Sequence, residues 1–281
     1  QRRKRRTPKI RKSSQRRNRA TEYMLIKSII LGIVQGITEF LPVSSTAHLV
    51  IAEKIMDIRP SFFLNVILHA GTLAAVLTIY NKQIYQLITD FLKGRKDAKI
   101  YIYKLILATA ITAAAAFLMK NFIGEGSMQS LNLIGFCLIV TATILFFSDK
   151  FTSGSQNTAS IKYSHIALIG LAQGIAALPG ISRSGITIAM CIFLQMSRKE
   201  AVQFSFILSI PIIIIALLYE TLFSMPSEIA SYPLSGLIIG FIFSLLLGIL
   251  SIKLMISLVS SRKLFIFSIY CLVLGISLFL I

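Results

Sequence analysis

Six long apolar runs of 17–26 residues dominate this 281-residue chain. A helix rises about 1.5 Å per residue, so about 20 residues cross the roughly 30 Å hydrocarbon core of a bilayer. Charged residues make up only 14% of the chain, against about 25% in soluble domains. This balance excludes a soluble enzyme, a disordered regulator and a fibrous rod, and it predicts an all-α, polytopic helical membrane protein. The six predicted spans are 62–80, 100–119, 131–147, 202–222, 234–259 and 264–281.

Two further apolar stretches, 24–56 and 164–197, are interrupted near their middles by Pro42 and Pro179 and by the serines that follow. Each interruption leaves two half-helices that are too short to cross a membrane alone. Irregular backbone at membrane depth must be buried in protein or line a cavity. The sequence therefore predicts two re-entrant helical hairpins.

The two interrupted stretches also resemble each other. GIVQGITEFLPVSS begins at residue 32 and GLAQGIAALPGISRS begins at residue 170, so that Gln35 matches Gln173. Three predicted spans separate the hairpins, and an odd number of crossings inverts the second copy. We predict an inverted-topology repeat with halves at roughly 24–119 and 164–259, inside a single membrane domain of residues 21–281. Chance similarity between apolar segments is the alternative.

Loop charge predicts the orientation of the spans, because cytoplasmic loops are enriched in Lys and Arg. The 81–99 connection carries five of these residues, whereas 223–233 carries none. Placing 81–99 in the cytoplasm means that the first hairpin enters from outside and the second from inside. The basic arm of residues 1–20 would then lie outside, against the usual bias. The arm holds 11 of the 29 Lys and Arg residues and no acid, so it is expected to be disordered. Three interpretations of the arm remain open: a tail attracted to anionic lipid, a targeting segment, or an upstream stretch left by a misplaced start of the sequence.

Charged residues lie at the two interruptions, where they are costly. A carboxylate such as Glu39 costs about 2.5–3.5 kcal/mol at the centre of a membrane helix, so it requires a partner or a cavity. Arg183 could be that partner, and its guanidinium also matches phosphate in a bidentate way. Helices that start at the interruptions would direct their positive N-terminal ends at the same place. The sequence thus predicts either a structural ion pair or an anion site suited to phosphate.

Hydroxyl and imidazole groups follow the first interruption. Ser45 and His48 are three residues apart, so they share a helix face and could form a nucleophile–base pair; His48 could also take up a phosphoryl group itself. Ser44, Ser45 and Ser182 are candidate helix caps. No acid or hydroxyl group is placed beside His69 at helical spacing with a clear purpose, which favours a structural role. The chain contains no P-loop, so nucleotide-driven transport has no support.

The run QGITEFLPVSSTAH (35–48) and the later PGISRSGIT (179–187) closely resemble the undecaprenyl-diphosphate phosphatases of the bacitracin-resistance type. That family carries an (E/Q)-x-x-x-E motif, a Ser/His segment and a PGxSRSxxT motif, and the likeness extends over residues 24–281. The resemblance implies a multi-pass enzyme of the bacterial cell (inner) membrane. The implied reaction hydrolyses undecaprenyl diphosphate to undecaprenyl phosphate and inorganic phosphate. This reaction recycles the lipid carrier for peptidoglycan and cell wall synthesis, and it confers resistance because bacitracin sequesters the diphosphate.

The resemblance also implies the members of the site. A divalent cation, magnesium or calcium, is expected at Glu39, since the first position of the acidic motif is Gln35. No organic cofactor or nucleic acid is expected; the partners are a polyprenyl diphosphate and membrane lipids, with a homodimer left open. A transporter or flippase of a phosphorylated polyprenyl lipid is the alternative function, because inverted repeats of broken helices are typical of transporters. The predicted catalytic residues are Glu39, Ser45, His48 and Arg183, and the predicted substrate-binding residues are Gln35, Ser44, Thr46, Ser182, Ser184 and Thr187.

Overall fold

Eleven α-helices follow one another in the part of the chain that the computed structural model describes, which is residues 8–57, 61–124, 127–152, 154–223 and 233–280. No β-strand occurs among these residues, so the predicted all-α class is confirmed. The helices are α1 (Pro8–Thr38), α2 (Ser45–Ile55), α3 (Phe62–Ile79), α4 (Asn81–Leu92), α5 (Lys96–Ile123), α6 (Leu131–Lys150), α7 (Tyr163–Ile175), α8 (Arg183–Phe193), α9 (Arg198–Phe223), α10 (Leu234–Ser260) and α11 (Phe265–Ser277).

Four helices, α5, α6, α9 and α10, are long and apolar enough to cross a membrane. A fifth candidate is α3 together with α4, which bends away from it by 72°. The last predicted span, 264–281, contains only the 13 helical residues of α11. The chain is therefore a multi-pass helical membrane protein, and its described residues contain four or five spans by helix length and composition.

Helix α4 lies in the connection for which the sequence predicted no helix. It has no buried residue, and Tyr85, Ile88 and Leu92 project from it as exposed apolar side chains. These positions recur at helical spacing, which makes α4 amphipathic. A short amphipathic helix that bends sharply away from a span is typical of the membrane interface.

Both predicted interruptions are present, and in each case the two helices beside the interruption contact each other. Helix α1 has 31 residues and is longer than the predicted half-helix, because it begins in the basic arm. The re-entrant course stays a prediction. Helices α1 and α2 are separated by residues 39–44, and α7 and α8 by residues 176–182. Ser44 caps α2 and Ser182 caps α8, because each side-chain oxygen accepts a hydrogen bond from the backbone N–H three residues later. Two of the three predicted caps are confirmed, and Ser45 is instead the first residue of α2.

Equivalent helices of the two repeats make equivalent contacts. Gly32 of α1 lies against the carbonyl oxygen of Gly240 in α10, and Gly170 of α7 lies against the carbonyl oxygen of Ala108 in α5. A Cβ atom at Gly32 or Gly170 would come within 2.6 or 2.7 Å of that oxygen. Such close helix approach requires glycine. The packing therefore follows the inverted repeat seen in the sequence.

A reciprocal contact joins α6 to α11. A Cβ atom at Gly135 would lie 2.7 Å from the carbonyl oxygen of Gly275, and a Cβ atom at Gly275 would lie 2.8 Å from that of Gly135. The two glycines let α6 and α11 approach each other closely. Each of these helices follows one of the predicted repeat halves in the chain.

The basic arm contributes to α1, whose helical backbone begins at Pro8. Residues 1–7 lie outside the described residues, as does the disorder predicted for them. The boundary between the arm and a membrane domain of residues 21–281 stays a prediction.

Candidate active site

The two helix interruptions lie against each other inside the protein. The backbone N–H of Gly180 donates to Ser44 Oγ at 3.0 Å, and Ser184 Oγ donates to the Leu41 carbonyl oxygen at 3.2 Å. Each of these hydrogen bonds joins residues that are more than 130 positions apart in the chain. The N-termini of α2 and α8 are therefore brought to one place, as the sequence predicts.

A cavity of about 260 Å³ opens beside these N-termini. Its polar wall contains Glu39, Ser45 and Arg183, three of the four predicted catalytic residues. The remaining walls come from α3, α5, α7 and α9. Its lining residues are Thr38, Glu39, Ser44, Ser45, Thr46, His69, Thr112, Ala116, Gln173, Ala176, Ala177, Ile181, Ser182, Arg183, Ile212, Ile213, Ala216, Leu217 and Glu220.

The Glu39 carboxylate is the centre of the polar wall. Its Oε2 accepts hydrogen bonds from Ser45 Oγ at 2.6 Å and from Gln35 Nε2 at 3.0 Å, and its Oε1 forms an ion pair with Arg183 Nη2. The residue is only 7% exposed. A buried carboxylate with three donors is held in one orientation. Glu39 and Arg183 thus form the ion pair considered from the sequence, and they do so in the wall of a cavity.

Arg183 has a second terminal nitrogen that is available to a ligand. Nη1 is buried and has no hydrogen-bond partner among the described residues. The residue is the first of α8, so its guanidinium lies beside the positive end of that helix. A cavity wall with an unused guanidinium nitrogen and a helix N-terminus favours an anionic ligand, and phosphate in particular.

Ser44 holds Ser45 in place through an unusual backbone conformation. Its φ of 68° lies in the left-handed region that non-glycine residues rarely adopt. The conformation is fixed by the Gly180 N–H on Ser44 Oγ and by His48 Nδ1, which lies 2.8 Å from the Ser44 carbonyl oxygen. Backbone strain of this kind is concentrated at functional sites.

His48 is not part of the cavity lining. Its Nε2 lies 2.6 Å from the hydroxyl of Tyr270 in α11, and the two rings stack with centroids 5.7 Å apart. Ser45 Oγ donates to Glu39 and not to His48. The predicted Ser45–His48 hydrogen bond is therefore absent, because Ser45 at the start of α2 points back to the interruption whereas His48 packs against α11.

The predicted substrate-binding residues separate into two groups. Ser44, Thr46 and Ser182 line the cavity. Gln35, Ser184 and Thr187 do not line it: Gln35 binds Glu39, Ser184 binds the Leu41 carbonyl oxygen, and Thr187 binds the Arg183 carbonyl oxygen. The second group supports the residues that form the cavity.

Five polar residues in the cavity lining were not predicted as members of the site: Thr38, His69, Thr112, Gln173 and Glu220. Gln173 is the repeat partner of Gln35; its Nε2 donates to Thr112 Oγ1 at 3.0 Å, while its buried Oε1 has no partner among the described residues. His69 lines the cavity with its Nδ1 2.8 Å from the Asn65 carbonyl oxygen. Glu220 lies near the end of α9. Two of these residues could have been identified from the sequence. Gln173 matches Gln35 in the internal repeat, and Glu220 is an acid within the apolar run 202–222.

Comparison with known proteins agrees with the geometry. The family model described as Bacitracin resistance protein BacA matches residues 28–277. The chain belongs to this family. It is similar to proteins named undecaprenyl-diphosphatase: it is 36% identical over 270 residues to that of Methanosphaera stadtmanae, covering 90% of this chain and 96% of the relative. It is 37% identical over 253 residues to that of Thermosipho africanus, covering 90% and 98%. The resemblance predicted from the sequence motifs is confirmed.

The BacA family resemblance implies a divalent cation, and the oxygen atoms beside Glu39 are suited to one. The described residues contain no cluster of three or more His, Cys, Asp or Glu side chains that could hold a metal ion alone. Gln35 Oε1 is buried without a partner among them, and its amide nitrogen is bound to Glu39. Magnesium is commonly held by one or two carboxylates together with oxygen atoms of a substrate phosphate. One carboxylate and one amide oxygen fit a cation whose coordination a diphosphate completes.

Proposed function

We propose that this protein hydrolyses undecaprenyl diphosphate to undecaprenyl phosphate and inorganic phosphate at the cavity lined by Glu39, Ser45 and Arg183. The activity is the one named for the relatives. The observation that carries the assignment is the 2.6 Å hydrogen bond from Ser45 Oγ to Glu39, beside the free Nη1 of Arg183. This combination supplies a nucleophile, a proton acceptor and an anion-binding group. Hydrolysis of this lipid recycles the carrier used in peptidoglycan synthesis, in agreement with a bacitracin-resistance role.

In the first chemical step, Ser45 acts as the nucleophile. Arg183 Nη1 and the N-terminus of α8 bind the terminal phosphoryl group, and Ser45 Oγ attacks its phosphorus while Glu39 accepts the hydroxyl proton. The bond between this phosphorus and the bridging oxygen breaks, and undecaprenyl phosphate leaves with the bonding electrons. The hydrogen bond already present between Ser45 and Glu39 supports this assignment.

In the second step, water replaces the serine. Glu39 first loses the proton of the first step to solvent. Water then attacks the phosphorus of phosphoserine while Glu39 accepts one water proton, the Ser45 Oγ–phosphorus bond breaks, and Glu39 returns that proton to Ser45 Oγ as inorganic phosphate is released. Arg183 balances the negative charge that develops on the phosphoryl oxygens in both steps. His48 is assigned an indirect role in this mechanism, because it holds the Ser44 carbonyl group next to the nucleophile.

Glu39 and Gln35 would hold the magnesium or calcium ion together with the substrate phosphates. A bound divalent cation supplies charge neutralisation for the diphosphate. The support for this proposal is the unpartnered Gln35 Oε1 next to the Glu39 carboxylate.

The proposed location is the inner cell membrane, with the cavity open to the outer side. The cavity runs along α9 from Ile212 to Glu220, towards the end of that helix at Phe223. The loop charges place this end of α9 outside. A homodimer stays a prediction.

Release of inorganic phosphate from undecaprenyl diphosphate by the purified protein in detergent tests the proposal. Detergent micelles provide no gradient and no second compartment, so a flippase without hydrolytic activity would release no phosphate. We expect continuous phosphate release that a chelator suppresses and magnesium or calcium restores. Absence of phosphate release with either cation would contradict the proposed function.

A further inference from the structure

The cavity has a polar end and an apolar side. Glu39, Arg183 and Gln173 form the polar end, whose unpartnered Gln173 Oε1 and Arg183 Nη1 both indicate a ligand. The apolar side consists of α9 and α5 residues at helical spacing. These are Ile212, Ile213, Ala216 and Leu217 of α9 and Ala116 of α5.

Two alanines lie on this apolar side, one on each of the two helices that form it. Ala116 and Ala216 both line the cavity, yet Ala216 is exposed and Ala116 is only partly buried. One helical turn further along each helix, α5 and α9 approach each other again, with Lys120 Nζ 5.1 Å from the centroid of the Tyr219 ring. The small side chains thus leave a gap between the helices, which we call the Ala116–Ala216 gap.

The surface outside this gap is apolar. Phe117 and Leu118 of α5 are 64% and 63% exposed, and Leu218 and Leu222 of α9 are 57% and 71% exposed. These helices are two of the four that are long and apolar enough to span the membrane, so these side chains face lipid. An opening at this gap would join the polar cavity directly to the hydrocarbon region.

We propose that the polyprenyl chain of the substrate passes through the Ala116–Ala216 gap and lies against the exposed faces of α5 and α9. The inference rests on the proposed function and adds the binding site of the lipid chain. A long prenyl chain is strongly unfavourable in water, so its diphosphate can reach a cavity at membrane depth only if the chain stays in an apolar environment. A gap lined by small apolar residues and open to lipid provides that environment.

Tryptophan substitutions test the gap. Ala116→Trp and Ala216→Trp fill it, whereas Ala114→Trp and Ile215→Trp place the same side chain on neighbouring exposed positions that do not line the cavity. We expect the two gap variants to lower kcat/KM for undecaprenyl diphosphate about tenfold or more, a range that steric discrimination in an apolar site can produce. The kcat/KM for the short-chain farnesyl diphosphate should change far less, since a short chain can reach the cavity from the aqueous side.

The ratio of kcat/KM for the two substrates decides the outcome. A lower long-chain to short-chain ratio in both gap variants and an unchanged ratio in both controls support the gap. An unchanged ratio in the gap variants, or an equal change in the controls, would overturn it. Failure of the unsubstituted protein to hydrolyse either diphosphate would overturn the proposed function and this inference with it.

Photolabelling of the unsubstituted protein avoids the risk that a tryptophan variant does not fold. An undecaprenyl phosphate with a diazirine in its chain should label peptides that contain residues 112–120 of α5 and 212–220 of α9. Excess unlabelled undecaprenyl phosphate should reduce this labelling. Labelling that is confined to other helices, or that the unlabelled lipid does not reduce, would overturn the inference.

Discussion

Ser45 Oγ donates a 2.6 Å hydrogen bond to Glu39 Oε2 across the interruption that separates α1 from α2. The same carboxylate binds Gln35 from the preceding helical turn and Arg183 from the other repeat. One buried acid therefore connects the proposed nucleophile Ser45, Gln35 of the acidic motif and Arg183. A change in any of these partners should affect the reaction through Glu39.

Glu39→Gln should reduce phosphate release about 10²–10⁴-fold, the usual contribution of general acid–base catalysis. The amide keeps the shape of the side chain, but it cannot accept the Ser45 proton or pair with Arg183. The measurement is turnover of undecaprenyl diphosphate by purified protein in detergent.

Glu53→Gln is the matched control for this change. Glu53 is a buried acid on α2, 5% exposed, and it does not line the cavity. Its substitution should leave turnover within a few-fold of the unsubstituted protein. Turnover of Glu39→Gln at the level of the Glu53→Gln control would remove Glu39 from the mechanism.

Ser45→Ala should eliminate the covalent intermediate and lower turnover about 10³-fold or more, on the scale seen when a nucleophile is removed. The intermediate can be trapped by acid quenching with substrate that carries labelled terminal phosphate. Thr46→Ala, which removes the next hydroxyl in the cavity lining, should still form it.

His48→Ala distinguishes the two candidate nucleophiles. The imidazole bridges the Ser44 carbonyl oxygen and Tyr270, so its loss should slow turnover while the phosphoserine still forms. Labelled phosphate on His48 in the Ser45→Ala protein would instead make His48 the nucleophile.

Arg183→Lys should lower turnover about 10²-fold, the cost of losing one donor to developing negative charge. Lysine retains the positive charge, but a single ammonium group cannot pair with Glu39 and bind phosphate in the planar arrangement of two guanidinium nitrogens. Arg95→Lys, at an exposed surface ion pair with Asp90, is the control. Equal turnover of the two variants would show that charge alone is sufficient at position 183.

Features with strong local signals were predictable from the sequence. Proline followed by serine located both interruptions, and two serine caps follow from the need of a new helix for N-terminal acceptors. An acid and an arginine at membrane depth are each costly without a partner of opposite charge. The structure pairs Glu39 with Arg183 in this way.

Features that depend on packing between distant helices were not predictable. His48 shares a helix face with Ser45 in sequence spacing, but its partner Tyr270 is 222 residues away. His69 has no acid at helical spacing in the sequence, and it lines the cavity because α3 packs beside the interruptions. Spacing along one helix defines a face, whereas the arrangement of the other helices determines what that face contacts.

Gln35→Glu should lower the magnesium concentration that gives half-maximal turnover, because it adds a second carboxylate to the proposed cation site. Gln35→Leu should raise this concentration, since it removes the amide oxygen. The measurement is a magnesium titration of chelator-treated protein. Gln86→Glu on the exposed helix α4 controls for net charge, and a cation dependence that is the same in all three variants would exclude position 35 from cation binding.

Gly135→Ala and Gly275→Ala should destabilise the protein to similar extents, because each added Cβ meets the other residue's carbonyl oxygen at less than 3 Å. Overpacking of this kind costs about 1–3 kcal/mol. The measurement is the apparent melting temperature in detergent. Phe136→Ala, at a neighbouring side chain that is 59% exposed, should change the stability by no more than about 0.5 kcal/mol.

The double variant Gly135→Ala/Gly275→Ala tests whether the two glycines form one contact. The first added methyl group already separates α6 from α11 at their crossing, so the second meets a carbonyl oxygen that has moved away. Substitutions at residues in contact are not additive, and the double variant should therefore lose less stability than the sum of the single losses. Strict additivity would mean that the two positions act independently, and it would contradict the reciprocal contact between them.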